Sequence, residues 1–224
     1  MLSRATLAMI AGLAICEALV TGAECSDTEQ DKPEWDFSFL TYTYLTQHAR
    51  NYSNPNFTAD YDGLHLEARY NYEALKTGSV WLGYNFPSFC VGKELEVEVT
   101  PMLGGVFGDI TGIAPGYWIQ ATFYKTITAS SQGEYFFDAG NNAGNFFYSW
   151  SEFSSSLPKA DCVRAGLVVE ATQASGNPDV RRGPLIGFKH KHKYKDKDVD
   201  VDLTIYWLAP GSRDATFVFA VEFK

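Results

Sequence analysis

From residue 35 to the end of the chain, apolar and polar side chains alternate with period two, and turn residues interrupt the pattern about every ten to twenty positions. A period of two sends successive side chains to opposite faces of an extended strand, whereas a helix needs a period of 3.6. In residues 94–107 the even positions carry Glu94, Glu96, Glu98 and Thr100 and the odd ones Leu95, Val97, Val99, Leu103 and Phe107. Residues 64–73 set His65, Glu67, Arg69, Asn71 and Glu73 against Leu64, Leu66, Ala68, Tyr70 and Tyr72. No segment sustains a helical period, and no linker divides the chain. The pattern predicts one all-β domain over 35–224. Its strands are expected at 35–45, 55–61, 64–73, 80–86, 94–107, 117–125, 128–139, 146–155, 163–173, 183–194, 198–208 and 215–223, and Asp62-Gly63 forms a two-residue hairpin turn.

The segment KHKHKYKDKDVDVDL, residues 189–203, fixes one register. Lysines occupy every second position up to Lys195, and aspartates every second position from Asp196. Folding the segment at Lys195-Asp196 sets Lys189 opposite Asp202, Lys191 opposite Asp200 and Lys193 opposite Asp198. All three pairs then share one face, each contributing ~0.2–1 kcal/mol. The other face pairs His190 with Val201 and His192 with Val199.

The amino terminus reads as a secretory signal peptide over 1–23: Arg4, then a mostly apolar run from Ala5 to Val20, then Thr21-Gly22-Ala23 as a small-residue cleavage site. A polar lead-in, 24–34, follows. Export leaves Cys25, Cys90 and Cys162, among which one disulfide is expected; no close Cys or His spacing suggests a metal, and no cofactor is expected. The formal charge of -9 argues against a nucleic-acid partner.

A strand with one apolar and one polar face suits either a soluble sandwich or a membrane barrel, in which the apolar face meets lipid. Strands of about 9–12 residues match the span of a bilayer. The strand count is even. Aromatic residues (13 Tyr, 16 Phe and 5 Trp) crowd toward strand ends, as Tyr70, Tyr72, Tyr117, Trp207 and Phe223 do, like interfacial girdles. Short turns follow strands two, six and ten, on the periplasmic side, and longer connections at 46–54, 108–116 and 174–182 fall on the outer side. These features predict a transmembrane, up-and-down antiparallel β-barrel of about 12 strands.

The segments LHLEARYNYEALKTGSVWLGYNF (64–86), TPMLGGVFGDITGIAPGYW (100–118), GEYFFDAGNNAGNFFYSWSE (133–152) and GPLIGFKHK (183–191) resemble a family of small, mostly uncharacterised porin-like outer-membrane β-barrels of bacteria. The resemblance implies the barrel fold and the outer membrane of a Gram-negative cell, and it implies no activity. Such barrels usually end on an aromatic residue read by the barrel-assembly machinery; here Lys224 follows Phe223.

In the expected barrel the lumen is lined by His65, Glu67, Arg69, Glu94, Glu96, Glu98, Lys189, Lys191, Lys193, Asp198, Asp200 and Asp202, a mixed and net acidic wall. The expected function is a structural barrel or narrow porin-like channel for small polar solutes, mildly favouring cations. Its surroundings are the outer-membrane bilayer, and a monomer is the default. One alternative is a barrel enzyme built on Asp60 and His65, which the Asp62-Gly63 turn places opposite each other, although no serine is identifiable beside them. The other is a soluble secreted β-protein that binds an apolar ligand.

Overall fold

Every barrel strand is hydrogen-bonded to the strands that precede and follow it, so the short-range turns predicted from the alternation are enough to generate the topology. In this computed structural model, which describes residues 23–24, 33–140, 144–174, 176–194 and 197–224, the strands are β1 (Asp36–Thr46), β2 (Tyr52–Tyr61), β3 (Leu64–Tyr70), β4 (Thr77–Tyr84), β5 (Leu95–Gly108) and β6 (Gly112–Phe123). They continue with β7 (Ile127–Asp138), β8 (Phe146–Leu157), β9 (Ala160–Ala174), β10 (Asn177–Tyr194), β11 (Lys197–Leu208) and β12 (Thr216–Phe223). All pair antiparallel, and β12 closes on β1 with Val218 opposite Tyr44. The result is a closed up-and-down barrel of the 12 expected strands. Closure leaves no sheet edge, the condition a sheet must meet in a bilayer.

The register read from the sign change holds: Lys189 lies opposite Asp202, Lys191 opposite Asp200 and Lys193 opposite Asp198. The turn itself, Lys195-Asp196, lies outside the described residues, as do the expected signal peptide up to Gly22 and Cys25. Ala23–Glu24 pairs with a short strand after β4, Phe89–Val91. Cys90 in that strand is disulfide-bonded. Cys162 is an exposed free thiol, so the bond does not include it.

The faces of the wall are inverted relative to a soluble β-protein. Leu82, Leu103, Ile113 and Leu167 are each more than half exposed on the outside. Apolar exposure of that kind, continuous around the circumference, is stable only against lipid. Aromatic rings gather at both ends of this belt. Trp35, Phe37, Phe57 and Tyr61 stack near one end, and Trp207 on Phe217 and Tyr135 beside Phe137 lie near the other.

Two sequence expectations need correction. The connections at the outer end are shorter than expected, because β5, β6, β9 and β10 run on through most of 108–116 and 174–182. And β3 stops at Tyr70 instead of Glu73. Asn71 adopts a left-handed φ of 59°, which Asn tolerates because its side chain bonds locally; its Oδ1 accepts from the Lys76 amide at 2.7 Å. That kink turns Tyr72 into the barrel, away from the lipid-facing girdle where the alternation puts it.

Close approach of the wall to a buried ring gives the first test of the fold. Gly104 faces the lumen opposite Trp81, and a Cβ there would lie 2.6 Å from the indole. Gly104→Ala is expected to destabilise the refolded barrel by about 1–3 kcal/mol, read as a lower urea midpoint. The outward-facing Gly105→Ala, whose Cβ meets nothing within 4 Å, should change little.

Candidate functional site

The lumen holds a cavity of about 660 Å³ that reaches the rim at Asp36, Ser88 and Lys224, the end where β1 begins and β12 finishes. Its walls come from residues of every strand but β4 and β10, with Asn85, Phe86 and Ser88 from the segment after β4. Six acidic side chains, Asp36, Asp60, Glu98, Glu152, Asp202 and Glu222, line it together with Glu67, against Arg164, Lys224 and His65. Several are matched: Arg164 is ion-paired with Asp202, Lys224 Nζ is 3.1 Å from Glu222, and His65 Nδ1 is 2.7 Å from Asp60 Oδ1. Asp36, Glu98 and Glu152 form no ion pair among the described residues. Glu98 accepts from Gln120 Nε2 at 3.0 Å.

The cavity ends on a floor instead of running through. On one side of the interior Tyr42, Tyr44, Trp150, Val168, Leu185, Tyr206, Leu208 and Val218 form an apolar cluster; on the other, Trp81, Met102, Val106, Ile110, Ala114 and Phe136 form a second. The outer half of the lumen is therefore mainly apolar, not the uniformly polar wall that alternation suggests. A polar seam separates the clusters. Arg69, buried to 7% exposure, bonds Glu67 through Nε at 2.8 Å and Nη2 at 2.7 Å and Glu134 through Nη1 at 3.0 Å. Its guanidinium lies 4.4 Å from the Tyr72 ring centroid and 4.3 Å from that of Trp81.

The 71–76 loop fills the rest of the seam. Tyr72 packs edge-on against Tyr148, with centroids 5.4 Å apart, and its hydroxyl accepts from Gln132 Nε2 at 2.8 Å. Ser79 donates to Glu73 Oε1 at 2.5 Å, and Ala74 packs on the second cluster. Burial holds the Tyr72 phenol well above its ordinary range, and it raises the Glu73 carboxyl against the opposing pull of Arg69.

Within the cavity floor, Glu152 is held by neutral donors. Its Oε1 accepts from Trp150 Nε1 at 2.8 Å and from the Tyr206 hydroxyl at 2.7 Å. Tyr42, Trp150 and Tyr206 surround it, with ring centroids 5.0–6.4 Å apart. On the opposite wall Asn56, only 4% exposed, lines the same cavity with an unpartnered Oδ1.

The residues read from the sequence as lumen-lining separate into four groups. His65, Glu67, Glu98 and Asp202 line the cavity, and Arg69 lies beneath it. Glu94 is exposed at the rim, and neither it nor Glu96 reaches the cavity; Arg69 pairs with Glu67 and Glu134. Lys189 and Lys191 are rim residues, 3.4 and 3.6 Å from Asp200: Lys191 keeps its direct partner, whereas Lys189 reaches diagonally because Arg164 takes Asp202. Nothing is described of the Lys193 and Asp198 side chains. Asp60 and His65 meet as the turn requires, but among the described residues no hydroxyl or thiol hydrogen-bonds to His65, whose Nε2 faces Glu67 at 3.6 Å. No described group of three His, Cys, Asp or Glu side chains is placed to hold a metal ion.

A closed antiparallel barrel with an apolar outside, aromatic girdles and a charged lumen defines the class: a transmembrane-type β-barrel. Among solved structures the chain is similar to the KdgM porin, at TM-score 0.53 and 9% identity over 84% of this chain and 98% of that one. It is equally similar to the KdgM porin in complex with disordered oligogalacturonate, at TM-score 0.53 and 8% identity with the same coverage. At these identities the likeness is one of fold. No family model and no curated protein matched the chain.

Proposed function

We propose that the protein is an outer-membrane barrel that forms a narrow, gated passage for small polar solutes and favours cations, closed in the conformation described. The axial polar cavity inside an apolar-walled barrel carries this reading. Its three carboxylates that form no ion pair among the described residues, Asp36, Glu98 and Glu152, set a negative potential on the lumen, as carboxylate rings do in cation-selective pores. Passage beyond the floor follows the seam at Arg69, Glu134 and Tyr72, a polar route between the two apolar clusters. Export by a cleaved signal peptide and insertion as a monomer by the barrel-assembly machinery belong to the same reading.

The test is single-channel recording of the mature protein refolded into a planar bilayer, with unboiled against boiled gel mobility as the folding control. Brief, cation-favouring openings are expected. In Glu98→Gln/Glu152→Gln the reversal potential in a KCl gradient should fall by about half, two of the three unpaired carboxylates being gone. A heat-modifiable protein that stays silent even with its loop plug removed is a purely structural barrel, and the passage reading fails.

A further inference from the structure

The floor of the cavity combines three features that no general wall of a pore requires. Glu152 forms no ion pair among the described residues, and both donors to its Oε1 are neutral. Its neighbours Tyr42, Trp150 and Tyr206 present the π-systems that attract a cation. The third feature is independent of the first two: Asn56, only 4% exposed, lines the cavity, and its buried Oδ1 has no hydrogen-bond partner. Leaving such an acceptor unsatisfied is costly, ~1–3 kcal/mol, and an N–H donor arriving in the cavity removes that cost.

From this arrangement we infer that the cavity floor is a binding site for a small organic cation bearing N–H donors, an alkyl amine or diamine, held between Glu152 with its aromatic surround and Asn56. The inference deepens the passage reading by naming its solute class. Each part of the site selects for that chemistry. The carboxylates repel an anion. A bare inorganic cation gains little from the aromatic rings over what water already provides and finds no cluster of ligands. A neutral sugar can stack on the rings but leaves Glu152 uncompensated. A protonated amine satisfies the carboxylate and the amide oxygen, and its methylene chain lies against the rings. The cavity volume of about 660 Å³ is that of an ordinary small-molecule pocket.

The experiment is isothermal titration of the refolded, detergent-solubilised protein with 1,4-diaminobutane at low ionic strength, with succinate and glucose as probes of similar size. Saturable binding of the diamine, without binding of succinate or glucose, is expected. Glu152→Gln keeps an Oε1 acceptor for Trp150 and Tyr206 and removes only the charge, so it should fold as the parent does and weaken diamine binding at least about tenfold. Asn56→Ala should weaken it several-fold, and Glu94→Gln, outside the cavity, should leave it unchanged. Absence of diamine binding to a heat-modifiable protein overturns the site, and so does binding that Glu152→Gln leaves intact. These outcomes are separable from the passage reading. A protein that binds the diamine but never conducts keeps the site and loses the passage, and one that conducts without binding does the reverse.

Discussion

Arg69→Met is expected to lower the unfolding free energy of the refolded barrel by about 3–5 kcal/mol at neutral pH, the largest stability effect of any single substitution in the lumen. Arg69 is the only cation hydrogen-bonded to Glu67 or Glu134 among the described residues, and both carboxylates are nearly inaccessible, at 9% and 2% side-chain exposure. Removing the guanidinium leaves Glu134 buried without a counter-charge and Glu67 with only the His65 ring 3.6 Å away, and it also strips the facing rings of Tyr72 and Trp81 of their cation. The cost arises mainly from the orphaned carboxylates, which a second variant separates. Arg69→Met/Glu67→Gln/Glu134→Gln replaces the charged cluster by neutral groups of similar volume and should recover most of the loss, since a buried ion pair is often no better than a well-packed neutral one. The check is a urea titration followed by the ratio of unboiled folded to unfolded bands. A loss under about 1 kcal/mol for Arg69→Met would mean that water reaches the cluster and screens it.

Why the barrel was legible in the sequence and its interior less so follows from what alternation encodes. Period two fixes which residues share a face, and the Lys-to-Asp switch fixes the register of β10 on β11. Both survive folding unchanged, because each depends only on local backbone geometry. Alternation does not say which face is inside when both are mixed. In β1 the outward set includes Thr41 and Thr43 while the inward set includes Leu40, Tyr42 and Tyr44. In β8 the inward set Tyr148, Trp150, Glu152 and Ser154 is as aromatic as the outward one. The floor residues Tyr42, Trp150 and Glu152 were therefore invisible as a site, and Asn56, a lone amide beside a proline, gave no signal at all. Asp60 and His65 were legible because a two-residue turn leaves no freedom in their pairing. Tyr72 misled because one left-handed residue, Asn71, ends the strand and transfers the next ring from lipid to lumen. A chain of Asn, aromatic and acid after a strand is a weak signal for such a kink, since Asn is common in many other conformations.

That misplaced ring leads to the second large expectation: Tyr72→Ala should raise the open probability of the passage roughly thirty- to several-hundred-fold. In the described state Tyr72 closes the seam by three contacts: the hydrogen bond from Gln132, the stack under the Arg69 guanidinium and the edge-on contact with Tyr148. Such contacts are worth about 0.5–1.5, 0.5–2 and 0.5–1.5 kcal/mol. Opening must break all three, so their removal shifts the equilibrium by about 2–4 kcal/mol, and each 1.4 kcal/mol is a factor of ten. The strands on either side are hydrogen-bonded to their neighbours along their length, so the loop can leave without disturbing the wall. Tyr72→Phe is the discriminating companion. It keeps both ring contacts and loses only the hydroxyl, so its open probability should rise by no more than about tenfold. If instead Tyr72→Ala folds, as its gel mobility will show, and records as silently as the parent, the two apolar clusters close the lumen without help from the loop. The cavity would then be a one-ended pocket that takes solute from the rim and returns it there.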